Sequence, residues 1–244
     1  SLARAAHVCH RQLVSIDNQH RFVHCRMTEL PPKLRAYACV AAYATRMMVP
    51  HPDRVVIATF HTDKQTSDCE RITFTGGLLR QSVEDAPVSN GGFLLAYVRS
   101  SVSDVILRAL EGANCEVRIY GVTDCATRRY YEKRGMRFFP ISPAFVQDLA
   151  SCDRLVGTAG NQLICEARYF QKPMLAIPEP GQYEQYINAW YLQHNGLGMQ
   201  CHAEYLSPET IRRFIRDGQT SSVGGTNGVH QVAQVIRSYK YGSS

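Results

Sequence analysis

Three groups of residues in the second half of the chain combine types and spacings that suit recognition of a polar, anionic ligand. Gly157-Thr158-Ala159-Gly160 follows apolar Leu155-Val156 and opens a helix predicted from about Asn161 to Phe170. Small residues in such a turn let a phosphate approach the free N–H groups of the first helical turn, where the helix dipole favours negative charge. A plain tight turn between strand and helix gives the same tetrapeptide. Glu166 lies about a turn and a half further on, among Leu163, Ile164, Cys165 and Ala167. A carboxylate there can accept both hydroxyls of a ribose; the alternative is a surface salt bridge to Arg168 or Lys172, of little energetic consequence. Glu184, Gln185 and Asn188 stand at i, i+1 and i+4, so Glu184 and Asn188 share one helix face with Gln185 adjacent. They suit the hydroxyls of a sugar, although a solvated helix face would read alike.

These residues need a scaffold that brings them together, and the surrounding pattern supplies one. Residues 153–198 read as a strand, the glycine turn and a helix. An apolar strand Pro173–Ile177, a Pro-Glu-Pro-Gly loop and a helix from about Gln182 to His194 follow. Two strand–loop–helix units in tandem are half of a parallel α/β sheet, in which ligands bind beyond the carboxyl ends of the strands. Thr158, Gly160, Asn161, Gln162, Glu166, Glu179, Gln182, Glu184, Gln185 and Asn188 all cluster near those ends. Upstream, Phe93–Val98 is apolar enough for a buried parallel strand, and Arg99-Ser100-Ser101 forms its outgoing turn. A helix Val102–Glu111, strand Glu116–Tyr120, helix Thr127–Lys133, strand Met136–Phe138 and helix Ala144–Cys152 complete a β-α-β-α order. That order predicts a doubly wound sheet with right-handed crossovers.

The first part of the chain reads the same way in miniature. Leu13–Ile16 is a short strand that empties into Asp17-Asn18-Gln19-His20-Arg21, either a solvated loop with an Asx-type turn or, as preferred here, a loop lining a cleft. Pro31-Pro32 opens a helix to about Met48, and Val55–Ala58 and Arg71–Phe74 are further strands. Gly76, Gly77, Pro87, Ser89, Asn90 and Gly92 mark a linker holding the domain boundary. Ser207 caps a helix with Pro208 at its first position. After a glycine-rich break, Val229, Val232, Val235 and Ile236 give a final amphipathic helix, about Val229–Tyr239.

Composition narrows the classes. With 45% hydrophobic and 20% charged residues the 244-residue chain is globular, and no apolar run approaches the roughly 20 residues that span a bilayer. Nine cysteines without a C-x-x-C pair read as reduced thiols of a cytoplasmic protein. A net charge of +6 suits an anionic small molecule or an anionic membrane face. Nucleic acid is not indicated, since no Lys/Arg tract has interleaved aromatics. His7, Cys9, His10, His20, His24 and Cys25 form no compact zinc quartet, and no G-x-S-x-G nucleophile motif occurs. Because the chain opens on Ser1 at what reads as a helix end, it is expected to be a fragment of a longer α/β protein.

The stretch from 150 to 198 resembles the donor-binding domain of GT-B glycosyltransferases of the MurG-like branch. The residues concerned are Gly157–Gln162, Glu166, Lys172-Pro173, Pro178–Gln182 and Glu184-Gln185-Tyr186-Ile187-Asn188-Ala189, with the family's spacing from Asp153 to Glu166. The resemblance extends weakly over about residues 10–200. It implies a GT-B-type fold with two Rossmann-like domains, the N-terminal one incomplete. Residues 1–80 would be the acceptor-side domain, 81–91 a linker, 92–217 the donor domain, and 226–240 a helix packing back across the cleft. It further implies a UDP-sugar donor bordered at its uracil by Ile141 and Ser142. The diphosphate would be held by main-chain N–H groups of Gly160, Asn161 and Gln162, the ribose by Glu166, and the sugar by Glu184, Gln185 and Asn188. Thr158 and Gln182 would line the same donor site. Arg99, Ser100 and Ser101 would neutralise leaving-group charge in place of a metal, in keeping with the lack of a D-x-D motif, and no cofactor is implied. Asn18 and Gln19 would face the acceptor, and His20 or Asp17 is the candidate base.

Two departures stand out: Glu184 replaces the family's usual Gln, and the first-domain glycine loop with its histidine is absent. The expected activity is inverting transfer to a glycan, lipid-linked or small-molecule hydroxyl in cell-envelope glycan assembly, in the cytoplasm or at the inner membrane face with peripheral membrane contact. A nucleotide-sugar 2-epimerase of the same fold and a non-catalytic donor-binding subunit are the rival readings.

Overall fold

The computed structural model describes residues 3, 5, 8–61, 70–219 and 222–241. It divides into two compact units, Ser1–Leu79 with Thr226–Ser244, and Arg80–Gly225. In the first unit, β1 (Val14–Asp17) is followed by a single helical turn, α1 (Arg21–His24), and by α2 (Pro32–Met48). β2 (Arg54–Ala58) and β3 (Ile72–Thr75) complete a parallel sheet in the order β1-β2-β3. Proline at the start of α2 costs nothing, because the first N–H groups of a helix have no intrahelical acceptor. Ala38, Ala42 and Thr45, at helical spacing, form the buried face of α2.

The second unit begins with a short helix, α3 (Gln81–Glu84), inside the stretch expected to be a linker. That expectation is corrected by its bonding. The Ser89 and Gly91 N–H groups donate to the Ala150 and Ser151 carbonyls, and Lys172 Nζ donates to Ser89 O at 2.6 Å. Glycine, proline and serine here build a fixed surface turn, and composition alone does not distinguish that from a tether.

From there the chain alternates strictly. The strands are β4 (Phe93–Tyr97), β5 (Glu116–Tyr120), β6 (Met136–Phe139), β7 (Arg154–Gly157), β8 (Met174–Ala176) and β9 (Met199–Gln200). Between them lie α4 (Ser103–Leu110), α5 (Cys125–Glu132), α6 (Ala144–Ser151), α7 (Asn161–Tyr169) and α8 (Tyr183–His194). All six strands are parallel in the order β6-β5-β4-β7-β8-β9. The chain thus runs outward from β4, crosses back to β7 and runs outward the other way. This is the doubly wound arrangement, and its strand order reverses between β4 and β7.

β4 is buried almost end to end because helices cover both faces, hence its unbroken apolar sequence. Leu94, Ile106, Leu107, Leu110, Ile119, Val156, Leu175 and Ile211 pack together at 0–1% exposure, each large aliphatic side chain contributing about 2 kcal/mol of transfer free energy. α9 (Pro208–Asp217) closes this core with Ile211 and Phe214, and Ser207 caps it by accepting from Thr210 N–H. β9 has no counterpart among the sequence expectations. Two residues carry no periodicity, and only the pairing of Leu175 with Met199 and of Ala176 with Gln200 defines the strand.

The last helix, α10 (Val229–Tyr241), belongs to the first unit. Asn227 ties it there: its Oδ1 accepts from Leu79 N–H at 3.1 Å, and its Nδ2 donates to Leu79 O at 3.2 Å. A Cβ on Gly228 would lie 2.0 Å from Thr75 Oγ1, so the approach requires glycine. Among the described residues no helix is long and apolar enough to cross a bilayer.

Candidate functional site

The register of the central strands sets the site. Tyr97 pairs with Gly157 and Gly157 with Ala176, so the loops leaving β4, β7 and β8 start level with one another. β4 and β7 flank the point where strand order reverses, the place where such sheets open a crevice. Arg99, Ser100 and Ser101 therefore lie beside the turn Thr158–Gly160 and the loop Pro178–Gln182.

The β7–α7 turn has two glycines with different tasks. A Cβ on Gly157 would come within 2.9 Å of Leu163 Cδ2 and 3.3 Å of Tyr97 O, so glycine there allows the strand and helix to close up. A Cβ on Gly160 would meet nothing within 4 Å. Gly160 is the N-cap of α7, in extended backbone and with no side-chain cap, so the start of the helix faces open space. That combination is the geometry of an anion site. Thr158 is buried, Asn161 half-buried and Gln162 exposed beside it.

Glu166 is 3% exposed. Its Oε1 accepts from Gln162 Nε2 at 3.0 Å, one helical turn earlier, and from Arg80 Nη2 at 3.2 Å. The partners considered from sequence are occupied elsewhere: Arg168 donates to Val223 O and Lys172 to Ser89 O. Burial lowers the Lys172 pKa.

The expected sugar patch divides. Asn188 is fully buried and donates its amide to Ala159 O at 3.0 Å. It braces the glycine turn from behind and is not presented to a ligand. Gln185 is also buried, and its amide grips Glu179 twice, accepting from Glu179 N–H at 3.1 Å and donating to Glu179 Oε1 at 2.8 Å. Both side chains are engaged within the protein, Asn188 with the β7–α7 turn and Gln185 with the β8–α8 loop. Glu184 is half-buried and Gln182 exposed at the mouth of the same loop.

Glu179 is the residue that the site expectations left without a role. Besides Gln185, its carboxylate accepts from Ser101 Oγ and faces Arg99 Nη1 at 3.5 Å. Burial raises the carboxyl pKa. The bonds from Ser101 and Gln185 and the Arg99 charge outweigh burial and hold it below the usual carboxylate value. Ser101 has thus committed its proton to Glu179, and toward a phosphate it would present lone pairs only. Ser101 accordingly departs from the expected role as a phosphate donor. Arg99 and Ser100 are exposed beside it.

Ile141 and Ser142 lie in the loop after β6. Ile141 is 67% exposed, and Ser142 O accepts from Phe145 N–H at 3.1 Å. Behind that loop, Tyr97, Tyr120 and Phe139 end their strands; Tyr97 and Tyr120 pack on Phe145 at 5.4 and 5.2 Å, and Phe139 stacks on Tyr120 at 5.5 Å. Tyr120 O–H donates to Asp148 at 2.7 Å, and burial together with Asp148 raises its pKa. The recurrence of aromatic residues at strand ends was the available signal for this ledge.

In the first unit, the polar run after β1 folds on itself. Asp17 Oδ1 accepts from His20 N–H at 2.8 Å, an Asx-type turn that starts α1. Asp17 Oδ2 accepts from Ser15 Oγ at 2.6 Å and lies 2.7 Å from His20 Nδ1. Burial pushes the Asp17 carboxyl up, but the His20 and Ser15 bonds prevail and bring it to about 2. A carboxylate that weakly basic is a poor proton acceptor near neutrality. The His20 ring is oriented by a carboxylate as a general base would be, yet it is 2% exposed. As placed, the pair is a buried brace that starts α1. Asn18 and Gln19 are half-buried in the same turn. His7 lies outside the described residues. Among the described residues no three His, Cys, Asp or Glu side chains gather as a metal site.

A doubly wound unit with an open helix N-terminus at its switch point defines a class of fold. Residues 2–217 match the family model described as Glycosyl transferase family 1, and the chain belongs to that family. Its parallel sheets have the GT-B architecture. Similar solved structures include CalG4, the calicheamicin glycosyltransferase, at TM-score 0.62 and 14% identity, covering 96% of this chain and 69% of that one. Os79 from O. sativa, in complex with U2F and trichothecene, aligns at TM-score 0.61 and 13% identity over 89% of this chain and 66% of its own. MurG of Acinetobacter baumannii aligns at TM-score 0.56 and 13% identity over 96% and 69%. The chain spans only 63% of the kitacinnamycin glycotransferase and 66% of Os79. No curated protein matches the sequence.

Proposed function

We propose that this protein moves a sugar from a UDP-sugar to an acceptor hydroxyl, with inversion and without a bound divalent metal. The observation that carries the proposal is the open N-terminus of α7 at the switch point, with buried Glu166 one and a half turns behind it. The first-turn N–H groups would receive the diphosphate. Glu166 would accept from the ribose hydroxyls, and Ile141 with Ser142 would border the base. Glu184 and Gln182, at the mouth of the β8–α8 loop, would meet the sugar.

In the transfer, the acceptor oxygen bonds to the anomeric carbon as the bond from that carbon to the phosphate oxygen breaks. One step on the opposite face inverts the configuration. The electron pair leaves with the nucleoside diphosphate, where the α7 dipole and the Arg99 guanidinium stabilise it, the task a divalent cation performs elsewhere. The acceptor proton passes to a base outside this donor unit. Membership of the glycosyltransferase family supports a nucleotide-sugar donor, as do the thymidine diphosphate and UDP-glucose complexes of the similar spinosyn rhamnosyltransferase and Medicago truncatula UGT71G1.

Calorimetric titration with UDP, UDP-sugars and other nucleotides tests the reading. Uridine-selective binding that weakens in Glu166→Ala is expected; a folded chain that binds no nucleotide would refute it.

A further inference from the structure

Glu179 joins three segments that the β-strands leave apart. It sits on the loop after β8, accepts from Ser101 on the loop after β4, and locks the first turn of α8 through Gln185. Its remaining neighbour is Arg99, whose side chain is 60% exposed while that of Glu179 is 11% exposed. The asymmetry matters. The carboxylate is fixed on two sides by hydrogen bonds. Among the described residues the exposed guanidinium meets a carboxylate only at a loose 3.5 Å, and a long side chain so held is free to change rotamer. Next to that crevice is the uncapped start of α7, where an anion would sit.

We propose that Glu179 is a positioning residue that acts as an exchangeable counter-charge. It holds Arg99 when the crevice is empty and yields it to the diphosphate of a bound nucleotide. The inference rests on the donor-site assignment above and adds a partner to it. No covalent step is involved. One ion pair, Arg99 with Glu179, gives way to another, Arg99 with phosphate, while the Ser101 and Gln185 bonds keep the carboxylate in place. The cost of the first pair is subtracted from nucleotide affinity, so the same contact that orders Arg99 also loosens the grip on the nucleoside diphosphate left after transfer. Ser101 serves this purpose by donating a hydrogen bond to the Glu179 carboxylate.

The test uses the 244-residue chain, with UDP and uridine as calorimetric probes at low ionic strength. Glu179→Gln keeps the shape and can still bond Gln185, but no longer competes for Arg99. The variant is expected to bind UDP two- to fivefold tighter, the range of an exposed ion pair, with uridine affinity unchanged. The gain should vanish in the Arg99→Met background. A gain in affinity confined to the phosphorylated probe is not something a merely structural lesion produces. Unchanged or weaker UDP binding by a folded Glu179→Gln chain overturns the proposal.

Should that variant not fold, carboxyl carbon NMR of the wild-type protein decides. The Glu179 pKa should rise on saturation with UDP and not with uridine; equal values in both states overturn the proposal. Failure of the donor assignment looks different. Wild-type chain that binds neither probe, or binds UDP equally well after Glu166→Ala, removes both. UDP binding that Glu166→Ala weakens and Glu179→Gln leaves unaltered removes this inference alone.

Discussion

Replacing Glu166 with alanine separates the ribose assignment from a purely structural role. In the folded protein the carboxylate accepts from Gln162 and from Arg80, whose side chain is 55% exposed. Both donors reach water once the carboxylate is gone, so the loss of stability should stay near about 1 kcal/mol, the scale of an exposed pair. Binding should respond far more. Two charge-assisted hydrogen bonds to the ribose hydroxyls, at about 1.5 kcal/mol each, come to about 3 kcal/mol, or roughly a hundredfold in Kd for UDP. A single hydroxyl accounts for about half of that. Wild-type protein should therefore prefer UDP over 2′-deoxy-UDP by roughly tenfold, and Glu166→Ala should bind the two almost equally. Calorimetry of both ligands against both proteins forms a closed cycle, with thermal melts to verify folding. If the mutant keeps the tenfold preference, Glu166 does not hold the 2′-hydroxyl, whatever happens to its absolute affinity.

Other substitutions probe the support of the site. Asn188→Ala strips the buried Ala159 carbonyl of its donor, and should lower stability by about 1–3 kcal/mol. A scanning melt would show this as a fall of about 2–4 °C per kcal/mol in a unit of this size. Gly157→Ala and Gly160→Ala should behave differently. The first forces a Cβ against Leu163 and Tyr97 and lowers the melting temperature. The second fits the backbone, leaves stability nearly unchanged because the unfolded-chain gain offsets the loss of a favoured N-cap glycine, and weakens UDP binding by filling the space before α7. A melt and a titration on each variant check the contrast. Asp17 has its folded pKa lowered from 3.8 to about 2. Its contribution, about 2 kcal/mol, is present above pH 4 and is lost as the pH falls through about 2. Urea unfolding of wild type and Asp17→Asn should therefore differ at pH 6 and converge toward pH 2.

The architecture of the second unit was largely legible from local pattern. Phe93–Tyr97 and Leu155–Val156 are apolar without alternation, and that is the mark of strands covered on both faces. Ser207-Pro208 announced a capped helix that the structure contains. The glycine turn before Asn161 and the polar residues near it pointed to the strand ends, because such turns have few uses at the head of a helix. Side-chain partners were another matter. Spacing on α8 placed Glu184 and Asn188 on one face, but which way that face turns depends on how the helix packs, and Asn188 turned inward to Ala159. His20, a candidate base in a polar run, is enclosed by the turn that Asp17 makes.

The chain alone marked the longer strands and helices of the second unit and the glycine turn before Asn161, since these follow from periodicity, caps and turn chemistry within a few residues; the short elements α1, α3 and β9 left no such mark. Tertiary structure alone decided that Arg80 meets Glu166 across 86 positions and that Ser101 meets Glu179 across 78. The second pairing comes from the strand order, which sets the β4 and β8 loops on either side of β7, and the first from the packing of the segment before α3 against α7. Contacts between distant loops leave no repeating trace in sequence, because each needs only one residue of the right type on either side.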